Sequence, residues 1–502
     1  MKLELRPVPC DCDPRAISRM EGIRYYEEEI DGFLRSWEEY VPTTYDPSRK
    51  YPLVIDVHGG REHNASWARP WSHVAEREGF LVLYPHSVVN GVTWNVFRDL
   101  SREDGMPDDV AYIDALLQKM FAKYNVDRQR LYIHGQSMGD MMVTTYLRER
   151  AYLFAAAAPL SGPSGPMHSI TPEGELILPV DSLPVIRTHG SRDLPLPMGR
   201  RRAPTAEMLA NRAKFTGFGK PSQRQPDPAW DCDEWRKDKM ELQVGLNNRT
   251  WIVKNGCAPH PRLSLRGKFA VATYAGDPCD VHFLMVEGGD HNPNHQIHDA
   301  IWRYFFTGFK RVDGKIVRTR PEAVFTPDKG AVVLADGALS AYVDNQVVEM
   351  EAPARQEGEA MYVPVSFLEK AFPQLKVQVY DKTGTGGCVR ITEGENELQL
   401  ATGMLSCLYN QIFREIARTL ILDDKIYVSI ADIASIMLGK QASQGRGICY
   451  ISDVPGCIGY DFAYLIRSVL GLQSEPSNQE LLQREQEHLR RREARRKEGG
   501  RA

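Results

Sequence analysis

At 502 residues the chain is long enough for two to four domains of roughly 100–200 residues each. Its 42% apolar and 25% charged residues exclude a wholly disordered, collagenous or disulfide-framework protein. The net charge of −4, from 62 Lys and Arg against 66 Asp and Glu, carries no nucleic-acid-binding signature. No run of 18 apolar residues exists to span a bilayer. The opening Met1-Lys-Leu-Glu-Leu-Arg-Pro lacks the apolar stretch of an export signal. Nine scattered cysteines form an odd set, which favours reduced thiols. The expectation is a cytoplasmic protein; a chain already trimmed of its export signal, secreted or at the cell surface, would read the same way.

From about Arg35 to Phe309, short apolar runs alternate with helical stretches. The runs are Pro52–Val57, Phe80–Tyr84, Leu131–His134, Phe154–Leu160, Pro184–His189 and Val281–Val286. Several are rich in β-branched residues and end in Gly, Pro or Ser, as buried parallel strands do. The clearest helix is Asp108–Tyr124, where Val110, Ile113, Leu116, Leu117, Met120 and Phe121 recur at helical spacing. Such alternation implies an α/β fold, a mostly parallel sheet covered by helices on both faces. The stretch Leu194–Leu265, rich in Pro, Arg, Gly and Trp, reads as an insertion between two strands.

After Phe309 the pattern changes. Met361-Tyr-Val-Pro-Val-Ser-Phe-Leu-Glu-Lys-Ala-Phe and Ile426-Tyr-Val-Ser-Ile-Ala-Asp-Ile-Ala-Ser-Ile-Met each read as a strand, then a Ser able to cap a helix. They predict two halves of one small α+β module. The expected domains are 1–318 with the insertion 194–265, then 319–472. The segment 473–502, crowded with Arg and Glu, is expected as a solvated helix or disordered tail.

Leu131-Tyr-Ile-His-Gly-Gln-Ser-Met-Gly-Asp holds Gly135-x-Ser137-x-Gly139 between a strand and a helix, the pattern of a nucleophile elbow. The turn is so sharp that the positions two before and two after the Ser have no room for a side chain. A serine hydroxyl is a poor nucleophile near neutral pH and needs a base and an orienting acid. Asp193, leaving a strand in Val185-Ile-Arg-Thr-His-Gly-Ser-Arg-Asp, is the candidate acid; Asp290 is the weaker alternative. His291, after Val286-Glu-Gly-Gly-Asp, is the candidate base. The amides of Met138 and Gly60 are the candidate oxyanion donors, the latter in the loop of Leu53-Val-Ile-Asp-Val-His-Gly-Gly. His58 reads as structural, and Gln136, beside the nucleophile, as a substrate contact. A zinc site at His291, His295 and His298 is disfavoured, because Pro293 interrupts any helix that would align them. No metal or other cofactor is expected.

These motifs resemble the α/β-hydrolases that include polyhydroxybutyrate depolymerases and feruloyl or acetylxylan esterases. The resemblance covers about Arg35–Phe309 and includes Asp108-Asp-Val-Ala-Tyr-Ile-Asp-Ala-Leu, Tyr124-Asn-Val-Asp-Arg-Gln-Arg-Leu-Tyr and Trp251-Ile-Val-Lys-Asn-Gly-Cys. It implies Ser137, Asp193 and His291 as a triad that hydrolyses carboxylic esters through an acyl-enzyme. It also matches Trp94 to a Trp that lines the acyl pocket, with a core aromatic as the equal alternative. Asp140 departs from the pattern, where the family usually has Gly or Ala, and its charge beside the elbow would disfavour an oxyanion. Cys257 and Cys279 bracket a strand and would be able to pair in an oxidising compartment. The module after Phe309 resembles the N-terminal-like stalk domain of copper amine oxidases through Tyr362-Val-Pro-Val-Ser-Phe-Leu, Val377-Gln-Val-Tyr-Asp and Lys425-Ile-Tyr-Val-Ser-Ile. With no His between Asp299 and Glu487, it offers no imidazole site for copper.

The leading expectation is therefore a serine esterase acting on a small or polymeric ester, with neither nucleic acid nor a membrane span involved. The C-terminal module would be structural, or would engage a protein or cell-surface partner. The rivals are a peptidase or acyl-aminopeptidase on the same triad, and a degenerate hydrolase serving as a binding scaffold.

Overall fold

The apolar runs of the first 309 residues become neighbouring strands of one sheet. The computed structural model describes residues 22–59, 70–87, 94–96, 107–193, 233–291, 297–320, 326–380 and 387–498. Among these, ten strands build the main sheet: β1 (Ile23–Ile30), β2 (Phe33–Tyr40), β3 (Tyr51–Val57), β4 (Leu81–Pro85), β5 (Val126–Gln136), β6 (Ala156–Leu160), β7 (Val185–Gly190), β8 (Arg262–Arg266), β9 (Phe269–Tyr274) and β10 (Val281–Val286). Their order is β1-β2-β4-β3-β5-β6-β7-β10-β9-β8. The six inner strands from β4 to β10 run parallel, while both margins are antiparallel. This is the α/β-hydrolase arrangement.

Helices cover both faces, as parallel strands require. On one side lie α1 (Pro70–Glu78) and the helical turns of 297–308, with Trp71, Ile301, Trp302 and Phe306 buried against Val54, Tyr132 and Ile186. On the other lie α2 (Asp109–Lys123) and α3 (Met138–Arg150), packed on Leu53, Ile55, Ile133 and Ala157. Asp108 caps α2 by accepting from Val110 and Ala111. Its neighbour Asp109 is buried and pairs with Arg35 of β2 at 2.6 Å. The expected insertion contributes a continuous helical run over 233–255, here α4, with a π-helical turn at Met240–Gly245, and then β8 at the sheet margin. The positions 194–232 lie outside the described residues.

Among the described residues the C-terminal module is built from three small antiparallel sheets. The two look-alike segments form strands Ala360–Pro364 and Lys425–Ser429, which pair with each other, Val363 opposite Val428. Ser429 caps α5 (Ile430–Leu438) by accepting from Asp432, as expected. Ser366 does not act this way, because the first copy opens with a 3₁₀ turn, Val365–Phe367, that runs through it.

The module shares a core with the hydrolase. Leu263, Leu265, Phe283 and Met285 of the main sheet pack with Val333, Tyr342, Tyr450, Phe462 and Ile466 beyond it. Backbone groups of β8 are also met from the module: Leu263 N–H by Asn345, Leu265 N–H by Asp328, and the Leu263 carbonyl by Asp328 N–H. Two further helices complete the chain, α6 (Tyr460–Val469) and α7 (Asn478–Glu498).

The segment expected in solvent departs from that reading. The first turns of α7 lie on the hydrolase, with Leu481 and Leu482 clustered on Ile170, Leu242 and Leu246. Buried Glu485 accepts from the Met167 amide at 2.5 Å, and Arg484 pairs with Glu241. Two apolar residues hidden among charges supply the contact that net polarity masked. Leu481, 1% exposed, is a measurable anchor. Leu481→Ala is expected to lower unfolding free energy by about 2–3 kcal/mol in urea titrations. A change under about 0.5 kcal/mol would mean that the helix is not seated.

Candidate active site

Ser137 stands between β5 and α3 with φ 59° and ψ −120°, a conformation that strains any residue with a side chain. The flanking glycines explain how the turn closes. A Cβ at Gly135 would lie 2.5 Å from the Gly139 carbonyl oxygen, and one at Gly139 would overlap the Val57 carbonyl. The serine therefore heads α3, with the Met138 amide in the first turn, at the positive end of the helix.

Asp193 and His291 follow neighbouring parallel strands, β7 and β10. Their loops are fastened together: Arg192 N–H donates to the Gly289 carbonyl at 2.8 Å, Ser191 N–H to Val286 at 3.0 Å, and Gly288 N–H to the Ser191 hydroxyl at 2.9 Å. The result is a hydrogen bond of 2.7 Å between His291 Nδ1 and Asp193 Oδ1. Asp193 is 1% exposed, so burial alone would push its carboxyl up; the His291 bond and the nearby Lys239, His189 and His291 outweigh that and hold it below the ordinary carboxylate range. Gln136 ties the third member in, its amide donating to the His291 carbonyl at 3.0 Å. Among the described residues no hydrogen bond joins the Ser137 hydroxyl to the imidazole. Such bonds are commonly long in ligand-free sites and tighten around substrate.

The other expected site residues fall as follows. Gly60 lies outside the described residues. Gln136, expected as a substrate contact, has its amide on the His291 carbonyl. Trp94 is 1% exposed, with its indole N–H on the His58 carbonyl at 2.9 Å and its ring 4.8 Å from the His58 imidazole. The ring is buried beside the His58–Gly59 end of the loop after β3. His58 is structural as expected: its Nε2 accepts from the Ser87 amide at 3.0 Å, so Nδ1 carries the proton facing the Gly59 carbonyl at 2.6 Å. His298 packs in the core near Trp71 and His134, and His295 lies outside the described residues. Cys257 and Cys279 are free thiols, with Cys257 Sγ 3.5 Å from the Cys279 carbonyl.

Asp140 has a role the sequence did not give it. Its Oδ2 pairs with Arg187 Nη1 at 2.5 Å and accepts from the Gly162 amide at 2.9 Å, with both side chains buried. Burial pushes the Asp140 carboxyl up, opposed by Arg187 and that amide. The charge that would have opposed an oxyanion is balanced by the neighbouring strand.

Three further residues at the site were not legible beforehand. Lys239 of α4 donates to the Asp193 carbonyl at 2.6 Å and stands 3.5 Å from Asp193 Oδ2. His189 Nε2 lies 3.6 Å from the same oxygen, and its Nδ1 is 2.8 Å from Asp461 of α6. Only the His-Gly dipeptide at the end of β7 hinted at any of these.

No family model matches the chain. It is 29% identical over 173 residues to a bifunctional acetylxylan esterase/xylanase of Neocallimastix patriciarum, covering 34% of this chain and 23% of that protein. It is 32% identical over 138 residues to a probable acetylxylan esterase A of Aspergillus terreus, covering 26% and 44%. A feruloyl esterase B of Neurospora crassa is 30% identical over 124 residues, covering 24% and 42%. The likeness is to esterases. The chain spans less than half the length of each of these relatives. Among solved structures, an acetyl xylan esterase from Aspergillus awamori is 16% identical over 61% of this chain and 100% of its own, with a TM-score of 0.36. The fold is set by the strand order and the elbow described above.

Proposed function

We propose that the protein is a serine hydrolase of carboxylic esters, acting through an acyl-enzyme on acetyl or aryl acyl groups of a carbohydrate. The observation that carries the reading is the Asp193–His291 pair, bonded at 2.7 Å and tied to the elbow through Gln136. Ser137 attacks the carbonyl carbon, and His291 takes its proton and returns it to the leaving alcohol. Asp193 keeps Nδ1 as the donor nitrogen so that Nε2 is the basic one. The Met138 amide, with Gly60 in the loop after β3, would hold the oxyanion. Water then repeats the sequence on the acyl-enzyme. The esterases similar to this chain support the ester class. The C-terminal module is read as a structural partner of the hydrolase, since the two share a core.

A fluorophosphonate should label one serine, mapped by mass spectrometry to the peptide holding Ser137. Acetyl and feruloyl esters should then turn over faster than aminoacyl amides. Labelling elsewhere would reject the triad, and faster amide turnover would select the peptidase reading.

A further inference from the structure

Resting on that reading of Asp193 and His291, we propose that Asp461 of the C-terminal module is a positioning residue of the hydrolytic centre, acting on Asp193 through His189 and Lys239. The starting observation is the second oxygen of the triad acid. Asp193 Oδ1 is engaged by His291, while among the described residues buried Oδ2 has no hydrogen-bond partner. It faces Lys239 Nζ at 3.5 Å and His189 Nε2 at 3.6 Å, both outside hydrogen-bond reach. The carboxylate is thus oriented by where these two groups stand, and in a buried site that electrostatic hold is weakly screened.

Where His189 stands is set from outside the hydrolase. Asp461 Oδ2 is 2.8 Å from His189 Nδ1, which makes Nδ1 a donor to Asp461 and sets the ring so that its Nε2 edge faces Asp193. Burial pulls the Lys239 ammonium below its ordinary range, and the charges of Asp193 and Asp461 oppose that loss. Asp461 is itself 4% exposed, at the start of α6, where the helix favours a negative charge. The helix approaches closely: an added Cβ at Gly459, just before it, would lie 2.1 Å from the Glu287 carboxylate in the loop that leads to His291.

A purely structural seam gives no reason for this chemistry. Apolar residues of similar volume serve a buried interface as well as buried charges do, or better. Leu263, Phe283, Phe462 and Ile466 provide that elsewhere in the same seam. Charges gather beside the triad acid, whereas the other buried carboxylate of the seam, Asp328, answers a β8 amide, Tyr450 and Arg266. The charged and titratable groups facing the Asp193–His291 pair are Lys239 from α4 and His189 from β7, with Asp461 of α6 behind His189; Arg192 and Asp290 are their neighbours in the chain. Glu241 points away, toward Tyr464 and Arg484.

The test uses the full chain with an aryl acetate. Asp461→Asn should lower kcat by about tenfold with KM little changed. It should also move the acid limb of kcat/KM to lower pH by about half a unit, because one negative charge fewer beside the dyad makes its proton less stable. Lys239→Met removes a positive charge and should move that limb to higher pH. Asp461→Glu should restore both the rate and the limb. A folded Asp461→Asn enzyme within about twofold of the parent, with an unmoved limb, would overturn the proposal. So would Asp461→Asn and Lys239→Met shifting the limb in the same direction. Should Asp461→Asn not fold, Lys239→Met alone decides, and an unmoved limb there overturns the coupling. A parent protein that neither hydrolyses aryl esters nor takes up a fluorophosphonate would reject the triad reading itself. An active parent beside an indifferent Asp461→Asn rejects only the role of Asp461.

Discussion

Ser137→Ala is expected to lower kcat on p-nitrophenyl acetate by about a millionfold, and Asp193→Asn by about ten-thousandfold. The two differ because they remove different things. Alanine deletes the atom that forms the acyl bond. Asparagine keeps the shape and the hydrogen bond to His291 but presents an N–H or a neutral oxygen where Nδ1–H needs a carboxylate, so the imidazole loses its basic tautomer. The residues act as one unit, so Ser137→Ala with Asp193→Asn should be no worse than Ser137→Ala alone. Stopped assays of the two single variants and the double variant, with circular dichroism to confirm folding, provide the measurement. Additive losses, summing in free energy, would mean that the two residues serve separate steps and that the triad is misassigned.

Asp140→Ala is expected to lower unfolding free energy by about 3–5 kcal/mol, even though Asp140 sits within three residues of the nucleophile. Its carboxylate is the partner of Arg187 at 2.5 Å, and both are buried. Removing it leaves a guanidinium in the interior with no counter-charge, and the Gly162 amide loses its acceptor as well. The pair is an electrostatic clip between α3 and β7, the elements that carry Ser137 and Asp193. Replacing both members together, Asp140→Leu with Arg187→Met, should recover most of the loss, since two apolar groups of similar volume leave nothing unsatisfied. Urea titration of the three variants measures it. A single variant as stable as the parent would show that solvent reaches Arg187.

Elements whose signal was local were legible in the sequence. The six apolar runs of the hydrolase became six parallel strands because each is largely buried between the two helical layers, and Val281–Val286 appeared with its bounds unchanged. The elbow was readable because only glycine fits at 135 and 139. What escaped were elements whose logic is long-range. The β1–β2 hairpin carries Asp31-Gly32 at its turn, both with positive φ, a usable signal. Its strands, though, hold Arg35, Glu38 and Glu39, which look like surface charges. They are buried because Arg35 finds Asp109 and Glu39 finds Lys123, partners tens of residues away. Lys239, His189 and Asp461 were hidden for the same reason: nothing near them in the chain marks them as neighbours of Asp193. Asp140 shows the converse, an anomaly visible in the sequence whose answer, Arg187, lay 47 positions on.

The margin strand β8 ends a ten-stranded sheet, and a bare margin of that kind is a template on which another chain can add. Here Asp328 and Asn345 occupy the outward amides of Leu263 and Leu265, so no foreign strand finds a free ladder. The module thereby shields this margin, and its detachment would bare the Leu263 and Leu265 amides to pairing with another strand.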